Sequence, residues 1–234
     1  MNQCSKPQIK ADYVNHMGDD NTVVDAARVS FDKKSDLYTK EQNDRLIAYL
    51  AKHKHISPFG HCFASFKVKA PIFVARQLVK HQYLRWNEIS RRYVDDEPEF
   101  YVPDVWRGRS ADKKQGSADW SVPYATWPMQ VQTGNDWDGA PEWTDYKDVV
   151  LELYQHLLSV NVAPEQARMV LPQSTMTEWY WSGSLDAFAN MCVLRLKSDT
   201  QYESRLVAQQ ISEKMAELFP VSWQALVGEA HDPR

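Results

Sequence analysis

Long apolar runs and cysteines are both scarce in this sequence of 234 residues. The apolar stretch from Val160 to Ala163 is already broken by Asn161, so we expect no membrane span. The N-terminus has no apolar segment after its first charge, which argues against a secretory signal. The three cysteines, Cys4, Cys62 and Cys192, show neither pairing nor metal-ligand spacing. So small and odd a count favours a reducing cytoplasm.

The charge balance is acidic, with a formal net charge of -4, and this disfavours extended nucleic-acid binding. One segment, 76–93, is nevertheless strongly basic. Its cations are Arg76, Lys80, Arg85, Arg91 and Arg92, and polar side chains lie between them: Gln77, His81, Asn87, Glu88 and Ser90. A solvated basic face would not need so many directional hydrogen-bonding groups. The segment therefore favours a site for a small molecule that carries phosphate.

The first third of the chain predicts a strand near 8–15 and a short helix over 22–28. Thr39 and Gln42 have the spacing of a capping box, which predicts a helix that ends near His53. From His61 to Lys69 apolar and polar residues alternate, which predicts a half-buried strand. The same alternation places Cys62 among the buried side chains.

Pro71 is suited to the first turn of a helix that we predict over 73–83. On this helix Gln77, Lys80 and His81 would share one face, and the rest of the basic segment would be a loop. Residues 104–146 show no period, and they hold five of the nine tryptophans and four of the eight glycines. We interpret 104–146 as an insertion loop that packs over a site or over a neighbouring subunit.

Helical periods return in the last third of the chain. We predict helices over 147–160 and 164–172, one that Ser184 caps, and a long one that starts at Asp199 or Thr200 and ends at Pro220. The predicted elements include both strands and helices, with helices in the majority, so we predict the α+β fold class. We predict one catalytic domain over 1–234.

The basic segment also resembles the signature of the flavin-dependent thymidylate synthases. That signature reads Arg-His-Arg, two free positions, Ser, one free, Asn-Glu, one free, Ser, one free, Arg-Tyr. Six of its nine defined positions match, and the departures are Lys80, Gln82 and Arg85. Further segments resemble the family at 26–31, 53–61, 68–77, 167–172 and 194–203, so the resemblance covers nearly the whole chain except 104–146.

The resemblance implies α+β subunits, with helices flanking an antiparallel sheet, in a homotetramer. It implies conversion of dUMP to dTMP in the cytoplasm, with FAD as cofactor, methylenetetrahydrofolate as carbon donor and NADPH as reductant. For dUMP it implies Gln77, Lys80, Glu88, Ile89, Ser90, Arg91, Arg92, Arg168 and Arg195, with Arg195 as the catalytic residue that faces the N3–O4 edge. For FAD it implies His55, Ser57, Lys80, His81, Gln82, Arg85, Asn87, Glu88 and Ser184.

The three departures suggest that a charge has moved along the signature. Gln82 lacks the guanidinium that the family has at this position, and Arg85 supplies one three residues later. We therefore expect Arg85 to make the flavin pyrophosphate contact that Gln82 cannot make.

The sequence also allows several alternatives. His53, His55 and His61 could hold zinc, but no further ligand has a persuasive spacing, so we expect no metal. No cysteine resembles an activated nucleophile. The enzyme could instead hydroxymethylate dUMP, or the chain could be a non-catalytic nucleotide-binding or nucleic-acid-binding homologue.

Overall fold

The computed structural model describes residues 8–94, 96–111, 116–118, 120–122, 130–135 and 141–228. Cys4 lies outside these residues. The described chain divides into two compact units, one with residues 8, 70–75 and 89–177 and the other with 9–69, 76–88 and 178–228. That the whole chain forms one catalytic domain stays a prediction.

Strands and helices alternate irregularly along the chain, which confirms the α+β class. The strands are β1 (Lys10–Met17), β2 (Phe63–Pro71), β3 (Leu84–Glu88), β4 (Gln130–Asn135), β5 (Pro141–Asp145) and β6 (Met176–Ser184). The α-helices are α1 (Asp20–Arg28), α2 (Lys40–Lys52), α3 (Ile72–Leu78), α4 (Tyr146–Ser159), α5 (Pro164–Ala167), α6 (Leu185–Arg195), α7 (Tyr202–Leu218) and α8 (Pro220–Val227).

The larger unit is built around a four-stranded sheet in the order β1-β2-β6-β3, in which β1 pairs antiparallel with β2 and β3 with β6. The alternation predicted for β2 is confirmed, since Ala64, Phe66 and Val68 are fully buried. Phe66 and Trp181 each contact Phe188 of α6 edge to face, with ring centroids 5.3 and 5.7 Å apart. Helix α6 therefore covers the apolar face of the sheet.

Local signals at helix ends are confirmed in α2. The hydroxyl of Thr39 accepts from the N–H of Gln42 at 3.3 Å, and the N–H of Thr39 donates to the Gln42 side chain at 2.9 Å. A second capping box, between Asp19 and Thr22, begins α1. Ser184 does occupy the N-cap of α6, but its side chain makes no capping hydrogen bond.

The basic segment is organised differently from the prediction. Helix α3 ends at Leu78, so Lys80 and His81 do not extend its face. The chain turns over 79–83, where Tyr83 takes a positive φ of 65°, and then forms β3. The predicted loop was wrong for 84–88 because β3 is stabilised by residues far away in the sequence. Trp86 stacks on the buried Trp179 of β6, with ring centroids 4.3 Å apart.

The smaller unit contains the segment predicted as an insertion loop. Part of 104–146 lies outside the described residues, but β4 and β5 pair antiparallel within it, so this segment is not wholly irregular. Helix α4 confirms the helix predicted over 147–160, and Tyr154 is its buried residue. The N–H of Tyr101 donates to the carbonyl oxygen of Ser174 at 2.8 Å.

The end of the chain holds one more helix than the sequence predicted. Pro220 ends α7 as expected, and it also begins α8. Helix α7 begins at Tyr202, slightly after the predicted start. None of the helices in the described part of the chain combines the length and the hydropathy that a membrane span requires.

Candidate functional site

Arg195, in the last turn of α6, forms the centre of a polar cluster in the larger unit. Its Nε donates to Nε2 of His81 at 2.9 Å, and its Nη2 donates to the main-chain oxygen of Gln77 at 3.0 Å. Burial lowers the pKa of Arg195 from its ordinary value, but a guanidinium stays protonated at neutral pH. The cluster therefore holds one cation in a fixed direction.

His81 is neutral in this cluster. Burial, and then the positive charge of Arg195, lower the pKa of His81 from 6.5 to about 4. Since Nε2 accepts a hydrogen bond from Arg195, the ring proton of the neutral imidazole belongs on Nδ1. His81 thus acts on Arg195 as an acceptor and adds no charge of its own at pH 7.

Gln77 is held through its side chain as well as its main chain. The fully buried hydroxyl of Ser204 donates to Oε1 of Gln77 at 3.1 Å. Nε2 of Gln77 donates to Oε1 of Gln201. Ser204 and Gln201 were not predicted as site residues, although Gln201 lies within the segment 194–203 that resembles the family.

The predicted cofactor residues of the turn and of β3 are accessible. Lys80, Gln82, Arg85, Asn87 and Glu88 all have exposed side chains. The register places Arg85 opposite Ser182 and Asn87 opposite Tyr180. Because side chains alternate along a strand, Arg85 and Asn87 lie on the face of the sheet away from Trp86.

Glu88 lies on the same side of β3 as Trp86. Its Oε2 accepts from Nε1 of Trp86 at 3.1 Å. The stacked Trp86 thus anchors this acidic position of the signature to the sheet.

The remaining predicted cofactor residues lie near the start of α6 and after α2. Ser57 begins a short 3-10 helix, Ser57–His61, which packs against α6. His55 is exposed, and its ring meets that of Tyr49 edge to face at 6.0 Å. No group of three or more His, Cys, Asp or Glu that could hold a metal occurs among the described residues.

The smaller unit holds the other predicted substrate residues. A turn follows β3, with the N–H of Tyr93 donating to the carbonyl oxygen of Ser90 at 2.9 Å. The guanidinium of Arg92 lies over the ring of Tyr93, 4.9 Å from its centroid, and that of Arg91 donates to the main-chain oxygen of Asp96. Ile89 is 42% exposed.

Arg168 is also exposed in the smaller unit, where its Nε donates to the main-chain oxygen of Glu165 at 3.4 Å. The structure thus brings Gln77, His81 and Arg195 together in the larger unit. It places Ile89, Ser90, Arg91, Arg92 and Arg168 in the smaller one.

Both cysteines of the described chain are buried. Burial, together with the charges of Asp19 and Asp20, raises the pKa of Cys62 to about 12, and burial also raises the pKa of Cys192. Because the thiolate is the nucleophilic form of cysteine, neither residue is suited to covalent catalysis.

The family profile and the most similar proteins that were found agree with one another. The family profile described as "Thymidylate synthase complementing protein" matches residues 13–221. The flavin-dependent thymidylate synthase of Thermus thermophilus is 37% identical over 212 residues, which are 91% of this chain and 73% of that protein. That of Kosmotoga olearia is 36% identical over 215 residues, which are 92% of this chain and 88% of that protein.

A solved structure is also similar. The UMP/dUMP methylase PolB from Streptomyces cacaoi, bound with 5-Br UMP, superposes with a TM-score of 0.77 at 30% identity, covering 97% of each chain. The same protein bound with 5-Br dUMP gives a TM-score of 0.75, covering 94% of this chain and 95% of that one.

Proposed function

This chain belongs to the family of flavin-dependent thymidylate synthases, and we propose that it methylates dUMP to dTMP with FAD as cofactor. Methylenetetrahydrofolate would be the carbon donor and NADPH the reductant. The match to the family over residues 13–221 and the similarity to a dUMP methylase support this proposal. The two cosubstrates, the homotetramer and the cytoplasmic location stay predictions.

The fixed guanidinium of Arg195 is the observation that carries the proposal. A guanidinium has five N–H groups, and His81 and Gln77 accept from two of them, so as far as the structure describes the chain three remain for a ligand. C5 of uracil is a weak nucleophile, and neither described cysteine can activate it by attack at C6. A donor directed at N3 and O4 would stabilise the negative charge that develops when the ring attacks.

The residues proposed for FAD suit the chemistry of that group. No ion pair of Lys80 or Arg85 is found within the described residues, so both exposed cations are available to a pyrophosphate. Ser57, Ser184 and Asn87 add hydroxyl and amide groups that can bind hydroxyls or ring edges. When bound, the flavin would supply the hydride of the reductive step.

Each unit carries groups that suit one part of dUMP. In the smaller unit, the turn of Ser90 and Arg92 and the guanidinium of Arg168 suit a phosphate, because guanidinium groups and turn amides bind anions well. In the larger unit, Arg195 and Gln77 suit the base. Glu88, Ile89, Arg91 and Lys80 complete the predicted contacts of the nucleotide.

One experiment with the purified protein tests the proposal. We expect a flavin absorption spectrum, NADPH oxidation that dUMP stimulates, and dTMP in the presence of methylenetetrahydrofolate, identified by mass spectrometry. A hydroxymethyl product would identify a dUMP hydroxymethylase instead. Flavin and dUMP binding without any product would identify a non-catalytic homologue, and affinity for nucleic acid that falls steeply with salt would identify a nucleic-acid-binding one.

A further inference from the structure

Gln201 stands at the end of a directed chain of hydrogen bonds. The Ser204 hydroxyl donates to Oε1 of Gln77, and Nε2 of Gln77 donates to Oε1 of Gln201. The amide oxygen of Gln201 is therefore already used. Its Nε2, which carries two donors, has no further partner within the described part of the chain.

The position of Gln201 in the fold does not explain this side chain. Gln201 is the N-cap of α7, but it makes no side-chain capping hydrogen bond. The residues preferred at an N-cap are Ser, Thr, Asp and Asn. The capping of α7 therefore does not explain why this position is a glutamine. The side chain contacts Gln77 instead.

Gln201 and Arg195 are connected through Gln77. Gln201 contacts the side chain of Gln77, and Arg195 donates to its main-chain oxygen at 3.0 Å. The connection between α6 and α7 is itself held, since the Thr200 hydroxyl donates to the carbonyl oxygen of Leu194 at 2.9 Å. The Gln201 amide nitrogen and the other N–H groups of Arg195, which have no partner among the described residues, are all donors, so the ligand atoms that they meet must be acceptors.

We propose that Gln201 donates a hydrogen bond to O4 of the pyrimidine ring and thereby selects uracil over cytosine. Uracil presents an acceptor at O4, whereas cytosine presents the N4 amino donor at the same position. Ser204 acts as a positioning residue, because its hydroxyl fixes which end of the Gln77 amide faces Gln201. The inference rests on the proposed function, since it assumes that the base of dUMP binds in this cluster.

The test compares the dissociation constants of dUMP and dCMP, measured by calorimetry, in the unaltered protein and in Gln201→Glu. The glutamate keeps an oxygen that accepts from Gln77 but replaces the free donors with an acceptor. We expect the preference for dUMP over dCMP to fall by about tenfold or more, as for one hydrogen bond to the base. Gln209→Glu is the matched control, since it adds the same charge two turns further along α7, and it should leave the preference unchanged.

A second variant separates positioning from direct contact. Ser204→Ala removes the hydroxyl that orients Gln77 but changes no charge, and we expect it to reduce the preference for dUMP while dCMP binding changes little. If Gln201→Glu weakens both nucleotides equally, Gln201 meets the phosphate or only supports the fold, and the inference is wrong. If both variants bind dUMP and dCMP as the unaltered protein does, it is also wrong. If the unaltered protein does not bind dUMP at all, the proposed function fails, and the inference fails with it.

Discussion

Arg195→Ala should slow formation of dTMP by about 100- to 1,000-fold, which corresponds to about 2.7–4 kcal/mol of transition-state free energy. The reason is geometric. The guanidinium is held by His81 and by the main chain of Gln77, so its remaining N–H groups need no reorganisation when charge develops on the ring. Alanine removes both the positive charge and the oriented N–H donors.

The same substitution should have a smaller effect on the fold. It leaves Nε2 of His81 and the oxygen of Gln77 without their donor, which costs at most about 1–3 kcal/mol for each group that stays buried. We therefore expect a lower melting temperature but a folded protein that still binds flavin. The flavin absorption spectrum and the thermal unfolding curve measure these two properties.

The assay follows dTMP by mass spectrometry and NADPH by absorbance. Arg45→Ala is the control, because Arg45 is an exposed arginine of α2 outside the cluster, and it should be fully active. Arg195→Lys keeps the charge, but an ammonium lacks the planar arrangement of donors, so it should restore only part of the rate. Full turnover in Arg195→Ala would refute the role of Arg195. If Arg45→Ala lost as much activity, the loss would come from the change in net charge and not from the position of Arg195.

Three further predictions follow from the same structure. Cys62→Ser and Cys192→Ser should keep turnover despite some loss of stability, because both thiols are buried with raised pKa values; loss of activity in a folded, flavin-bound variant would contradict this. Arg85→Ser should weaken FAD binding by about 1.5–3 kcal/mol, and adding Gln82→Arg should recover much of the loss; a fluorescence titration with no change in Arg85→Ser would show that the charge did not move. The pKa of His81 is depressed to about 4 from 6.5, so the unfolded chain takes up this proton first. The neutral His81 should therefore contribute fully to the free energy of unfolding above pH 6.5, and this contribution should be lost as the pH falls towards 4. Denaturant titrations at several pH values should show that the free energy of unfolding depends less on pH in His81→Gln than in the unaltered protein.

Several features of the fold and site could be predicted from sequence because they depend on residues close together in the chain. The capping box of Thr39 and Gln42 joins positions three apart, and the alternation in β2 is a property of one strand. The alternation of Trp179 and Trp181 with polar residues was also present in the sequence and could have predicted β6. The assignment of the chain to its family depended on residue identities alone, and the family comparison confirmed it.

Tertiary structure decided what the same residues do. His81 and Arg195 are 114 positions apart, and only their contact and burial make the histidine neutral and direct the guanidinium. Gln77 and Ser204 are 127 positions apart, and no local pattern shows that one orients the amide of the other. The sequence by itself determined which donors, acceptors and charges this protein carries, because these are properties of single side chains. Protonation state and hydrogen-bond direction depend on neighbours and on the exclusion of water, so only the folded chain could determine them.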